Sequence, residues 1–215
     1  MKPFHPLRVL SAGVIALSVI GCQTFPAAYT VESHPRVSAS APTVLVKTLR
    51  DERPEEEKTG EGAGFLNRST KDSLYSEPVA DGLTRALIEE LRARNINAVT
   101  DGSAPYVLEG SVKSYRAMLV PPRTAFIPYI SYVTWMWTHD IISAGVTVDL
   151  KLSGPEGTLI DDTYALNKDT TTWVGLAGLS SSARRMDRTE LVKFLHAGAK
   201  DVLGRAADDI AARVK

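Results

Sequence analysis

The chain has 215 residues, 25 basic against 25 acidic side chains, 44% hydrophobic composition and a single cysteine. Formal neutrality provides no basic surplus of the kind nucleic-acid binding rests on, and one cysteine excludes a disulfide framework. The length suits one domain, or one domain with a tether.

Lys2 and Arg8 form a short cationic start, followed by the apolar stretch Val9 to Ile20. That stretch has the length of a secretory h-region and is too short for a membrane span, which needs roughly 20 apolar residues. It ends in Val19-Ile20-Gly21-Cys22, a variant of the bacterial lipobox, with small Gly21 before the only cysteine. The thiol is the group that takes a thioether-linked diacylglyceryl unit. Residues 1–21 are therefore expected to be a lipoprotein signal cleaved between Gly21 and Cys22, with Cys22 lipidated. Each buried methylene contributes about 0.8 kcal/mol, so several acyl chains hold a protein stably where one is marginal. Gln23 stands where an aspartate would favour inner-membrane retention, so the expected location is the outer membrane, facing the periplasm.

Residues 22–42 are rich in Ala, Ser, Thr and Pro without helical or strand periodicity, which predicts a lipidated flexible tether. Residues 43–215 then form the periplasmic domain. Thr43 to Leu49 reads as a first strand, ended by Asp51-Glu52-Arg53-Pro54. Glu55 to Tyr75 reads as a long polar loop, in which Glu55-Glu56-Glu57 cannot converge on one cation. The loop's Gly60-Glu61-Gly62-Ala63-Gly64-Phe65 fails as a phosphate-cradling fingerprint, because Phe65 replaces the last glycine and no strand or helix flanks it.

Ser76 as N-cap, Pro78 in the first turn and Val79, Leu83, Leu87 and Leu91 at i, i+4 spacing predict an amphipathic helix ending near Asn95. Ile96 to Val99 and Tyr106 to Tyr115 follow as strands, the second with Tyr106, Leu108, Gly110 and Val112 on one face. Ile142 to Leu152 alternates most clearly, with its even-numbered residues apolar. Thr158 to Leu166 returns after the turn Ser153 to Gly157 as an antiparallel hairpin. Asp187 followed by Glu190 resembles a capping box for a last helix striped by Leu191, Leu195, Val202, Ala206, Ile210 and Val214. The order strand, helix, strands, helix predicts an α+β fold with an antiparallel-rich sheet and two helices packed on one face.

Catalytic chemistry is sparse. His34 lies in the tether, His139-Asp140 are adjacent on a strand, and His196 lies in the last helix with surface or half-buried character. Ser180-Ser181-Ser182 lacks a nucleophile elbow, and Arg184, Arg185 and Arg188 read as a solvated face. Metal-ligand spacing is absent, so neither metal nor cofactor is expected and the chain reads as no enzyme.

Ala125 to Thr138 stands out as about fourteen uncharged residues between Arg123 and Asp140. It contains Phe126, Tyr129, Tyr132, Trp135 and Trp137, five of the fifteen aromatics, and Trp173 opens a second apolar segment. Rings with an apolar body and a polar tip suit a protein interface or the headgroup layer. The alternative is a hydrophobic arm that completes the core.

The lipobox, the tether, a strand ending in Asp51-Glu52-Arg53, an amphipathic helix, Tyr106-Val107-Leu108-Glu109-Gly110-Ser111-Val112 and the long hairpin together resemble small Gram-negative outer-membrane lipoproteins. The likeness is to the YajG type and the ABC-transport auxiliary lipoproteins, which share an arrangement with the TolB N-terminal domain. It implies an accessory or assembly part and supplies no catalytic residues. Two functions follow: a non-enzymatic accessory that binds an envelope protein of a transport, secretion or assembly system, or a carrier whose aromatics line a lipid cavity. In both the membrane is a partner through the N-terminal lipid, and nucleic acid is not.

Overall fold

Strand, helix, strand is the order in which residues 43–99 are laid down, and two strands joined through a helix run parallel when they share a sheet. The computed structural model describes residues 24–29, 37–61, 68–120, 139–173 and 181–214. Along them lie β1 (Thr43–Val46), β2 (Arg50–Asp51), α1 (Glu55–Thr59), β3 (Arg68–Ser69), a 3₁₀ turn (Asp72–Leu74), α2 (Val79–Ala93) and β4 (Asn97–Val99). The longer elements follow as β5 (Tyr106–Val120), β6 (His139–Gly154), β7 (Gly157–Trp173) and α3 (Ser181–Arg213). The strands form one seven-stranded sheet in the order β4-β1-β5-β6-β7, with β2 and β3 also paired to β5.

The α+β class stands, but the sheet is mixed rather than antiparallel-rich. β1 pairs in parallel with both β4 and β5, and β2 is parallel to β5. The antiparallel half is β3 with β5, β5 with β6 and β6 with β7. The crossover through α2 imposes the parallel half.

The predicted helix forms as Val79–Ala93, two residues later than a Ser76 cap would give, because Pro78 in extended geometry is the N-cap. Asp81 in the first turn complements the helix dipole. At the other end Asn95 takes φ 58°, while Asn95 N–H donates to Arg92 O and Ile96 N–H to Leu91 O. This pair of bonds is a Schellman stop, completed by burial of Ile96. Leu83, Leu87 and Leu91 are fully buried, each contributing roughly 1.5–3 kcal/mol of apolar burial. Arg94 ties α2 to α3: Nε donates to Asp208 Oδ1 at 2.6 Å and Nη2 to Gly204 O at 2.8 Å.

In the hairpin, Ile142, Ala144, Val146, Val148, Leu150 and Leu152 are buried as their alternation predicts. On β5 the buried set runs Leu108, Val112, then Tyr115, Ala117 and Leu119, so the inward parity changes along the strand. The cause is a β-bulge between Val112 and Ser114. Glu57 of α1 pins it, accepting from Ser114 Oγ at 2.8 Å and from Tyr115 N–H at 3.0 Å.

The stretch Glu55 to Tyr75 is thus not simply a loop, since it holds α1, β3 and the 3₁₀ turn. Its anchor is Arg53, 4% exposed, whose guanidinium donates to both oxygens of Asp51 at 2.9 and 2.8 Å and to Asp72 Oδ1 at 2.9 Å. Burial alone would pull this guanidinium's pKa down. The hydrogen bonds and charges of Asp51 and Asp72 outweigh that and hold it above its ordinary value.

The last helix begins at Ser181 rather than at Asp187, so Arg184, Arg185 and Arg188 fall in its first turns. One hydrophobic core joins Leu195, Ala199, Val202 and Leu203 of α3 to α2 and to the buried side of the sheet. Within the expected tether, Thr24 to Tyr29 is seated on the body: Ala27 and Ala28 are 0% and 1% exposed, and Phe25 bridges to Tyr75.

Candidate interface at one end of the sheet

The long strands decide where the two apolar segments emerge. Val120 of β5 pairs with Ile141 of β6, and His139 pairs with Trp173 of β7. The strand ends that flank residues 121–138 and the end of β7 that precedes residues 174–180 therefore lie at the same end of the sheet. Phe126, Tyr129, Tyr132, Trp135 and Trp137 lie outside the described residues, as do Gly21, Cys22 and His34. Trp173 is the last residue of β7.

Next to that end, between α3 and the ends of β6 and β7, is an open groove of about 380 Å³ lined by Ile142, Thr170, Thr171, Lys193, Phe194 and Ala197. Phe194 is half-buried and carries Lys168 over its ring, with Nζ 5.9 Å from the centroid. Lys193 pairs with Glu190 at 3.0 Å on the groove's flank. Ile141, 37% exposed, is the one large exposed hydrophobic side chain among the described residues. An apolar floor with a charged rim is the ordinary composition of a protein-binding surface.

The outer side of the sheet is different in kind. A second depression there is lined by Arg50, Glu52, Glu109, Lys113, Asp149 and Lys151, among others. Ion pairs surround it: Lys47 pairs with Glu109, Arg50 with Glu52 at 3.5 Å, and Lys113 with Glu52 at 2.5 Å and Asp149 at 3.5 Å. The pairing lowers the pKa of Glu52 and Glu109 below the ordinary carboxylate value, chiefly through hydrogen bonds from Lys113 and Lys47. These ion pairs are exposed and contribute little to stability. Balanced in charge, they leave little field to attract an anion.

Of the histidines, His139 opens β6 beside Asp140, and His196 is the one with a described contact. Its Nε2 lies 3.0 Å from Pro26 O, and a carbonyl can only accept, so the ring donates there. Burial lowers its pKa below 6.5 despite the opposing effect of that hydrogen bond, which favours the neutral ring. His196 thus holds the N-terminal segment in place, a role that helical periodicity could not signal. Among the described residues no group of three or more His, Cys, Asp or Glu is arranged to hold a metal ion, and no helix is long and apolar enough to cross a membrane.

The family description LptE, lipopolysaccharide-assembly, matches residues 67–214. This range takes in β3 to β7, α2 and α3, including both strand ends of the candidate interface. The chain belongs to the LptE family. Membership makes it one of the outer-membrane lipoproteins of lipopolysaccharide assembly. The broad part of the likeness read from sequence, a Gram-negative envelope lipoprotein, agrees with this. The family found is LptE, and it does not confirm the finer likeness to the YajG type. Nothing among curated proteins matches the chain.

Solved structures are similar to this LptE-family chain only at low identity and low TM-score. A minor lipoprotein from Acinetobacter baumannii is 15% identical, covering 79% of this chain and 92% of its own, with TM-score 0.35. A protein from Xanthomonas campestris is 12% identical, with coverage of 86% and 94% and TM-score 0.39. The PelC dodecamer from Paraburkholderia phytofirmans is 14% identical, with coverage of 83% and 94% and TM-score 0.33. Likenesses at this level carry no functional argument.

Proposed function

We propose that this LptE-family chain is a non-enzymatic accessory of lipopolysaccharide assembly, anchored by lipid at Cys22 to the periplasmic face of the outer membrane, that binds an envelope protein through the loop-bearing end of its sheet. The observation that carries this reading is the pairing of Val120 with Ile141 and of His139 with Trp173. It gathers the exits of both uncharged segments beside the Phe194 groove.

The carrier reading is less well supported. Side chains facing each other between sheet and helices, such as Val146, Val148, Leu195, Ala199, Val202 and Leu203, have no exposed surface. A side chain with none touches no water-sized void, so a lipid between these layers would have to prise them apart against close packing. A lipid ligand fits better at the loop end, in the same place as the protein partner.

A photoreactive residue at Phe126 in intact cells tests the reading. The expected product is a discrete crosslink to an envelope protein, lost in Trp135→Ala/Trp137→Ala while the circular dichroism of that variant stays that of the parent. If the double variant unfolds, the aromatics belong to the core and the interface reading fails. Lipid retained by the lipid-free domain in native mass spectrometry, without a protein crosslink, would favour the carrier.

A further inference from the structure

We infer that residues 25–29 form a docked strap that shortens the lipid tether to three residues and so fixes which end of the domain faces the bilayer. The inference rests on the reading of Cys22 as the lipidated residue. The strap itself is visible independently of that reading.

Phe25 is gripped on both sides: its N–H donates to Leu74 O at 2.8 Å, and Ser76 N–H donates to its carbonyl at 2.7 Å. His196 donates to Pro26 O at 3.0 Å from α3. Glu77 accepts from Ala27 N–H at 3.3 Å, and Tyr29 hydroxyl donates to Glu90 at 2.8 Å from α2. The strap therefore contacts both helices, and Ala27 and Ala28 are wholly buried. Gly82, inside α2, makes room for it, since a Cβ there would lie 2.8 Å from Ala27 Cβ and 3.2 Å from Ala28 N. A helix interior is where glycine is least favoured after proline, and the strap supplies the reason for this one.

Three residues of extended chain reach at most about 11 Å, so the backbone of the lipidated residue must lie that close to Phe25. A free tether of twenty residues would spread over roughly 25 Å root-mean-square and impose no orientation. Phe25 bridges to Tyr75, whose ring centroid is 5.8 Å from that of Tyr115 on β5. The β6–β7 turn lies at the opposite end of the same strand, where a Cβ on Gly154 would meet the Tyr106 ring at 3.1 Å. Nine residues at about 3.3 Å each separate these levels by roughly 30 Å. The strap runs from the level of Tyr115 toward that of Tyr106, because Tyr29 meets Glu90 and the chain then joins Asn95 through Ser38. The lipid end of the domain is thus the Val120 and Trp173 end, and Pro155-Glu156 points away from the membrane.

The test uses the full lipidated protein in vesicles of phosphatidylethanolamine and phosphatidylglycerol that carry a headgroup-attached energy acceptor. With Cys22 acylated, Ser73→Cys and Glu156→Cys each present a single free thiol for a donor dye, and both positions are exposed. Strong transfer from position 73 and weak transfer from position 156 is the expected result. In Gly82→Leu or in Ala27→Arg, the latter leaving the body's sequence untouched, the two should converge. The Phe25 amide should also lose its protection from hydrogen exchange, while those of Leu108 and Val148 keep theirs. Equal transfer from both positions in the parent, with the acyl mass present on Cys22, would overturn the orientation. Absence of the acyl mass would instead overturn the lipidation reading beneath it, and mass spectrometry separates the two failures.

Discussion

Gly110→Ala is expected to lower the stability of the domain by about 3 kcal/mol or more, the upper range of overpacking costs, and to leave little folded protein at 37 °C. A Cβ at that position would lie 2.3 Å from the Asp149 carbonyl oxygen, 2.7 Å from Leu150 Cδ2 and 2.9 Å from Leu49 Cδ2. The first of these is backbone on the neighbouring strand, which cannot move without breaking the β5–β6 ladder through Gly110 and Leu150. Gly145→Ala is the matched control. Its Cβ would meet the Asn167 side-chain oxygen at 3.0 Å, the end of a side chain that can turn away, and Ser114 Oγ at 3.5 Å, an ordinary van der Waals contact. The cost there should stay under about 1 kcal/mol, as for substitutions that add no fixed clash. Urea unfolding of the two variants, compared at constant m-value, measures the difference.

Arg53→Ala should cost about 3 kcal/mol, the lower end of what breaking a buried ion pair costs. The discount follows from the partners: the Arg53 side chain is 1% exposed, but Asp51 and Asp72 are 28% and 47% exposed and remain solvated when the cation is removed. The loss then consists of a cavity and of hydrogen bonds that close the segment between β2 and α2. The same cluster predicts an acid limb. Burial opposes it, but hydrogen bonds from Arg53 hold the Asp51 pKa below its ordinary 3.8. Its contribution is therefore complete at neutral pH and is lost as pH falls below about 4. Unfolding curves of the parent should shift over that range, and those of Arg53→Ala should shift less.

What the sequence disclosed follows the range of the interactions involved. The hairpin was legible residue by residue because β6 alternates along its whole length, and α2 was legible because Val79, Leu83, Leu87 and Leu91 repeat at helical spacing. Parallel pairing of β1 is signalled by the order strand, helix, strand, but the alternation of the long hairpin is the stronger pattern and points to an antiparallel sheet. The bulge after Val112 has no local signature. It depends on Glu57, fifty-seven residues from Ser114, in a run of glutamates that read as a solvated loop. The strap was hidden for a related reason. Phe25-Pro26-Ala27-Ala28-Tyr29 has tether composition, and only the missing side chain of Gly82 on another element makes it a fitted piece. At the candidate interface the apolar segments were evident from composition, whereas their common exit depended on strand register, which periodicity cannot count.

The proposed role in lipopolysaccharide assembly is exerted from the loop-bearing end of the sheet. Its most direct test depletes the chain in its host and measures newly made lipopolysaccharide at the cell surface, with complementation by the parent or by Trp135→Ala/Trp137→Ala at matched levels of folded protein. Surface lipopolysaccharide is expected to fall on depletion and to return with the parent but not with the double variant. Unchanged surface lipopolysaccharide on depletion, or full rescue by the double variant, would contradict it.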